Sequence, residues 1–134
     1  YIASGTVRYF VSSADRITSG TVTTNVWYHI AVVRSSGTTK MYINGTQAGS
    51  NYTDSNTYLT AANRPLIATY DGSQGFFNGY ISNLRILNIA TYNSSSTTIG
   101  ATIFTPPTVA FGYGDPNALL STCQDKTIID YTIQ

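Results

Sequence analysis

The dipeptide Asn44-Gly45 stands directly between two strand-patterned runs, Lys40 to Ile43 and Thr46 to Gly49. Asn-Gly readily supplies the two positive φ angles of a type I′ turn, so the runs on either side are committed to an antiparallel hairpin. Immediately upstream, Asn25-Val-Trp-Tyr-His-Ile-Ala-Val-Val-Arg34 carries two interleaved sets, Trp27, His29, Ala31, Val33 and Tyr28, Ile30, Val32, Arg34. Both sets are largely apolar, which predicts a central strand covered on both faces. Ser35 to Thr39 then reads as the hairpin loop that leads into Lys40.

The rest of the chain repeats this grammar. Val7, Tyr9 and Val11 alternate with Arg8 and Phe10 in a strand with one wet face, and Asp15 to Thr18 continues after a Ser-Ser-Ala turn. Asn51 to Asn63 reads as an exposed loop, and Leu66 to Ala68 as a short buried strand. Phe76 to Leu87 reads as a second long strand with Gly79 marking a bulge or close approach. Ile89 to Tyr92 fits one helical turn, Asn93 to Thr98 an exposed polar loop tip, and Pro107 to Asn117 an extended connector. Leu119 to Cys123 and Thr127 to Tyr131 are two last short strands. Composition agrees: about a quarter of the residues are Ser or Thr, with eleven Tyr and eleven Gly, a set that suits strands and turns. The fold class is all-β, an antiparallel β-sandwich.

Charge excludes several functions. Only 10% of residues are charged and the net charge is +1, too weak and scattered for a nucleic-acid footprint. No apolar run is long enough for a membrane span, so membrane insertion is not expected. The acids are Asp15, Asp54, Asp71, Asp115, Asp125 and Asp130, with no glutamate. Cys123 is alone, which excludes an internal disulfide framework and a cysteine zinc site. No Gly-x-Ser-x-Gly elbow occurs, and the single histidine, His29, alternates with Trp27, Ala31 and Val33 as a packed core residue would.

The order Trp27-x-His29-x-Ala31-x-Val33-Arg34, Met41-Tyr-Ile-Asn-Gly45, Arg64-Pro-Leu-Ile, Phe77-x-Gly79-x-Ile81-Ser-Asn-Leu-Arg-Ile86, Ala90-x-Tyr92 and Phe104-x-Pro-Pro107 resembles the laminin G-like, or concanavalin A-like, jelly-roll family. The resemblance covers Thr21 to Pro107. Within that family the chain is most similar to Ser/Thr-rich repeats of marine bacteriophage structural proteins and large bacterial surface proteins, in which a Leu-Leu-x-x-Cys-Gln segment opens a repeat. Here that segment is Leu119 to Gln124, after the domain pattern. The resemblance thus implies a β-sandwich over 1–107 that lacks its first strands, a connector over 108–118, and a segment over 119–134 that completes the domain or opens the next repeat. Ala68 stands where the family usually has Gly.

Some relatives of this fold cleave glycans with a pair of glutamates. Without glutamate the chain is expected to be non-catalytic: a structural or adhesive module of a virion or cell-surface assembly, meeting neighbouring copies and surface glycans, or else a dedicated lectin-type domain. Tyr52, Tyr58, Tyr70 and Tyr113 fall in loop-like sequence beside Asn, Thr and Asp and are the candidate sugar-stacking rings; the competing reading is ordinary half-buried tyrosine. No cofactor is expected beyond calcium, for which Asp54, Asn56 and Asp71 are the candidate ligands, against plain Asx-turn stabilisation. The expected core is Trp27, Ala31, Val33, Tyr42, Ile81, Leu84 and Ile86. A buried Trp27 would make Trp27→Ala cost about 3–5 kcal/mol.

Overall fold

A computed structural model describes residues 1–58, 66–69, 73–110 and 115–122. Among them every regular element is a strand and every strand pairing with a defined register is antiparallel, as the composition predicts. The chain divides into two compact units, residues 1–55 with 87–111, and residues 56–86 with 112–134. No described helix is long and apolar enough to cross a membrane.

The first unit holds two three-stranded sheets. One has the order β1 (Ile2–Ala3), β2 (Thr6–Val11), β3 (Ala14–Thr21); the other has β4 (Ile30–Ser35), β5 (Thr38–Ile43), β6 (Thr46–Thr53). Four two-residue turns connect neighbours, at Ser4-Gly5, Ser12-Ser13, Ser36-Gly37 and Asn44-Gly45, and both residues of each have positive φ. That is the signature of the type I′ turn, whose twist matches that of the strands it joins. Asn-Gly announces such a turn in sequence. Ser12-Ser13 does not, because serine has no special ease in the left-handed region.

The sheets meet where β3 packs on β6 and the adjoining part of β5. Val7, Ile17, Met41 and Ala48 are buried there, with Tyr9, Val22, Ile43 and Tyr52 against them. Gly49 makes the close approach possible: at φ +69°, a Cβ would lie 2.6 Å from both Ile17 Cγ2 and the Thr18 carbonyl oxygen. The irregular register between Thr39 and Met41 belongs to the same stretch, and β6 continues past it to Thr53. Tyr52 is consequently a strand residue, where the sequence reading ended the strand at Gly49.

The run from Asn25 needs the largest correction. It forms strand only from Ile30, and among the described residues β4 is a sheet edge, paired with β5 alone, where a central strand was expected. The opposing sheet covers β6 and β5 but stops short of β4, so Ile30 and Val32 remain 44% and 47% exposed. On the other face the ring contacts of Tyr92 and Phe104 reach His29. Trp27, two residues earlier, is 66% exposed and outside the core. Trp27→Ala is therefore expected to shift the denaturation midpoint by less than about 0.5 kcal/mol equivalent, as at other surface sites, and a chemical melt monitored by circular dichroism checks it.

In the second unit, β7 (Leu84–Leu87) pairs with β8 (Ala118–Thr122). The expected strand from Phe76 is thus confined to its last residues, and Ile81 and Ile86 are exposed where a core place was expected. Leu66 to Ala68 makes a bend in place of the expected buried strand. Ala68 has φ +63° there, and its carbonyl accepts from the Phe77 N–H at 2.8 Å. A left-handed alanine is strained. Ala68→Gly is expected to stabilise by about 1 kcal/mol, read as a higher midpoint in the same melt.

Candidate functional site

Strand alternation places Ala31, Val33 and Ser35 of β4, Thr38, Lys40 and Tyr42 of β5, and Gln47 of β6 on the sheet face turned away from β1–β3. The return segment after Leu87 lies over this face. It is tied to the Asn44-Gly45 turn and to Gln47 by main-chain bonds: Gln47 N–H to Ala101 O at 2.9 Å, Gly100 N–H to Gln47 O at 2.9 Å, and Ile103 N–H to Gly45 O at 2.8 Å. The Thr46–Thr102 bridge belongs to the same docking.

One end of the covered face is aromatic. Phe104 stacks on Tyr92 with ring centroids 3.8 Å apart and meets Tyr42 and His29 edge-on, each at 5.6 Å. Burial pushes the Tyr42 phenol above its ordinary range. The Asn44 side-chain oxygen accepts the His29 main-chain N–H at 2.8 Å, holding the main chain at His29 against the turn. The His29 ring is half-buried between Tyr92 and Phe104, the environment of a packing histidine.

The other end is polar. Lys40 is only 6% exposed, and its Nζ donates to the Ser94 and Ser96 carbonyls, the latter at 2.6 Å. Beside it opens a cavity of about 290 Å³ lined by Ser35, Thr38, Lys40, Asn51, Asn93 and Ser95 among others. Hydroxyls, amides and one ammonium therefore share one concave surface. Another concavity, about 210 Å³, runs past Val22, Ile43, Ala48 and Ile99 and is mainly apolar.

Of the candidate site residues, Tyr52 and Asp54 are described within the first unit. Tyr52 packs at 6.5 Å from Tyr9, with the Arg16 guanidinium 5.3 Å from its ring. Tyr58 is exposed in the second unit, and Tyr70 and Tyr113 lie outside the described residues. Asp54 is fully buried: its Oδ2 accepts the Thr39 hydroxyl at 2.6 Å and pairs with Arg34 Nε at 3.3 Å. Asn56 belongs to the other unit, and Asp71 lies outside the described residues. Among the described residues no cluster of three or more His, Cys, Asp or Glu could hold a metal ion.

Each described aspartate has an arginine. Asp15 pairs with Arg8 at 2.7 Å, Asp54 with Arg34, and Asp115 with Arg85 at 3.3 Å. The Tyr1 hydroxyl, and then Arg8, hold the Asp15 carboxyl below its usual range. Its contribution to stability is in place above the ordinary carboxylate pKa and is lost as pH falls through the lowered value.

The cavity was not among the sites expected from sequence. The signal was present in Lys40 itself, which alternates with Tyr42 and faces Val33 across the hairpin, a place where an apolar residue would be usual.

Comparison with known families matches residues 2–95 to the laminin G-like family described as the concanavalin A-like lectin/glucanases superfamily. The chain belongs to that family. No curated protein matches it, and no solved structure does.

Proposed function

We propose that this domain is a non-catalytic structural and adhesive module of a virion or cell-surface assembly, which packs with neighbouring copies and contacts surface glycans. The observation that carries the reading is the state of the acids: the chain has no glutamate, and the described aspartates are each neutralised by an arginine. Glycoside cleavage needs two carboxyl groups facing one bond, one of them protonated, and an arginine partner opposes protonation. A dedicated lectin-type domain is the second reading, and the polar cavity beside Lys40 favours it.

Incubation with β-glucans, alginates and peptidoglycan is expected to release no product, while the domain is retained on surfaces bearing such glycans. Reproducible turnover abolished by a single Asp substitution overturns the non-catalytic reading. Absence of retention on every glycan-coated surface overturns the adhesive one.

A further inference from the structure

Burying an ammonium is costly unless it is paired and hydrogen-bonded. Lys40 has the hydrogen bonds, to the Ser94 and Ser96 carbonyls, but among the described residues it makes no ion pair. The described carboxylates are committed elsewhere, to Arg8, Arg34 and Arg85. An ammonium carries three N–H donors, and two carbonyls account for two of them. The same lysine lines the 290 Å³ cavity, whose other walls are neutral hydroxyls and amides: Ser35, Thr38, Asn51, Asn93 and Ser95. A cation lacking a counter-charge among the described residues, set among groups that hydrogen-bond to polyols, defines a complementary ligand.

We propose that this cavity is a subsite for one acidic sugar unit, whose oxyanion, carboxylate or sulfate, pairs with Lys40 Nζ while ring hydroxyls bond to Thr38, Asn51 and Ser35. The volume lies at the small end of ligand sites, which fits a single sugar ring. No aromatic ring is among the residues lining it, so recognition is by charge and hydrogen bonds. The inference deepens the glycan-contact reading and rests on it for biological setting; the site itself stands on the cavity and its lysine.

The test is an NMR titration of the full chain with sodium glucuronate, glucose 6-sulfate, glucose and inorganic sulfate. One or both acidic sugars should perturb the Thr38, Lys40 and Asn51 amides saturably and bind more tightly than glucose or inorganic sulfate. Which acidic sugar binds distinguishes carboxylate from sulfate. Lys40→Gln keeps a donor for the Ser94 and Ser96 carbonyls but removes the charge. It should weaken the acidic ligand by about tenfold or more, the scale of a charge-assisted bond, and leave glucose unaffected. Ser35→Ala and Thr38→Val leave the lysine and its carbonyls in place and should each weaken binding several-fold, so the result does not hang on Lys40→Gln folding. The proposal is overturned if no acidic sugar perturbs these amides, if glucose or inorganic sulfate binds equally well, or if folded variants bind as the parent does. Retention on glycan surfaces that Lys40→Gln leaves intact refutes this subsite and spares the adhesive reading. A parent chain that is neither retained on any glycan surface nor perturbed by any acidic sugar refutes both.

Discussion

Tyr42→Ala is expected to lower stability by about 3–5 kcal/mol, the cost of deleting a large buried ring. Tyr42 is 0% exposed, pairs with Ala31 and Gln47 in its sheet, and meets Phe104 edge-on. Its deletion leaves a cavity between the sheet and the segment that covers it. Tyr42→Phe should behave quite differently. The Tyr42 hydroxyl is buried with no hydrogen-bond partner among the described residues, so removing it also removes an uncompensated polar group. Its midpoint should equal or exceed that of the parent in urea melts. A Tyr42→Phe loss as large as that of Tyr42→Ala would show that the hydroxyl is bonded.

Gly45→Ala is the second large effect. Gly45 has φ +79°, and a Cβ there would collide with the Phe104 carbonyl, while the Gly45 carbonyl receives the Ile103 N–H. Left-handed strain and overpacking together are expected to cost about 2–5 kcal/mol. Gly20→Ala is the control: nothing lies within 4 Å of its added Cβ, and it should be neutral or slightly stabilising. Equal midpoints for the two variants would show that the covering segment does not press on the turn.

What was legible in the sequence follows from the range of the interactions involved. The Asn44-Gly45 turn is specified by two adjacent residues, so the hairpin with Ile43 facing Thr46 could be read directly. Trp27 could not be placed, because its exposure depends on how far Tyr92 and Phe104 reach, and they arrive from far along the chain. Asp54 looked like a loop ligand because the strand was expected to end at Gly49. The bulge keeps β6 going, and Asp54 then arrives beside Thr39 and Arg34, becoming a buried ion-pair member. The family was legible because an ordered series of weak signals is specific even when each is common, and the match over residues 2–95 bears this out. The Lys40 cavity needed the cover as well as the sheet, and spacing within one strand says nothing about a loop laid across it.

The cover also has a consequence in time. The four two-residue turns join neighbours whose hairpins can each form in about 1–10 μs. Docking the return segment is another matter, since Lys40 and Ser94 are 54 positions apart. Closing a loop of that size costs about 2 kcal/mol more entropy than closing a hairpin turn. The hairpins therefore assemble first and the cover is laid down last; in the folded protein, it is also the part that lifts first. Amides bonded across it, such as Gly100 and Ile103, should exchange with solvent ahead of those paired within β5 and β6. The polar cavity thus lies under the least durable layer of the unit, so its lifetime is shorter than that of the sheet on which it is built.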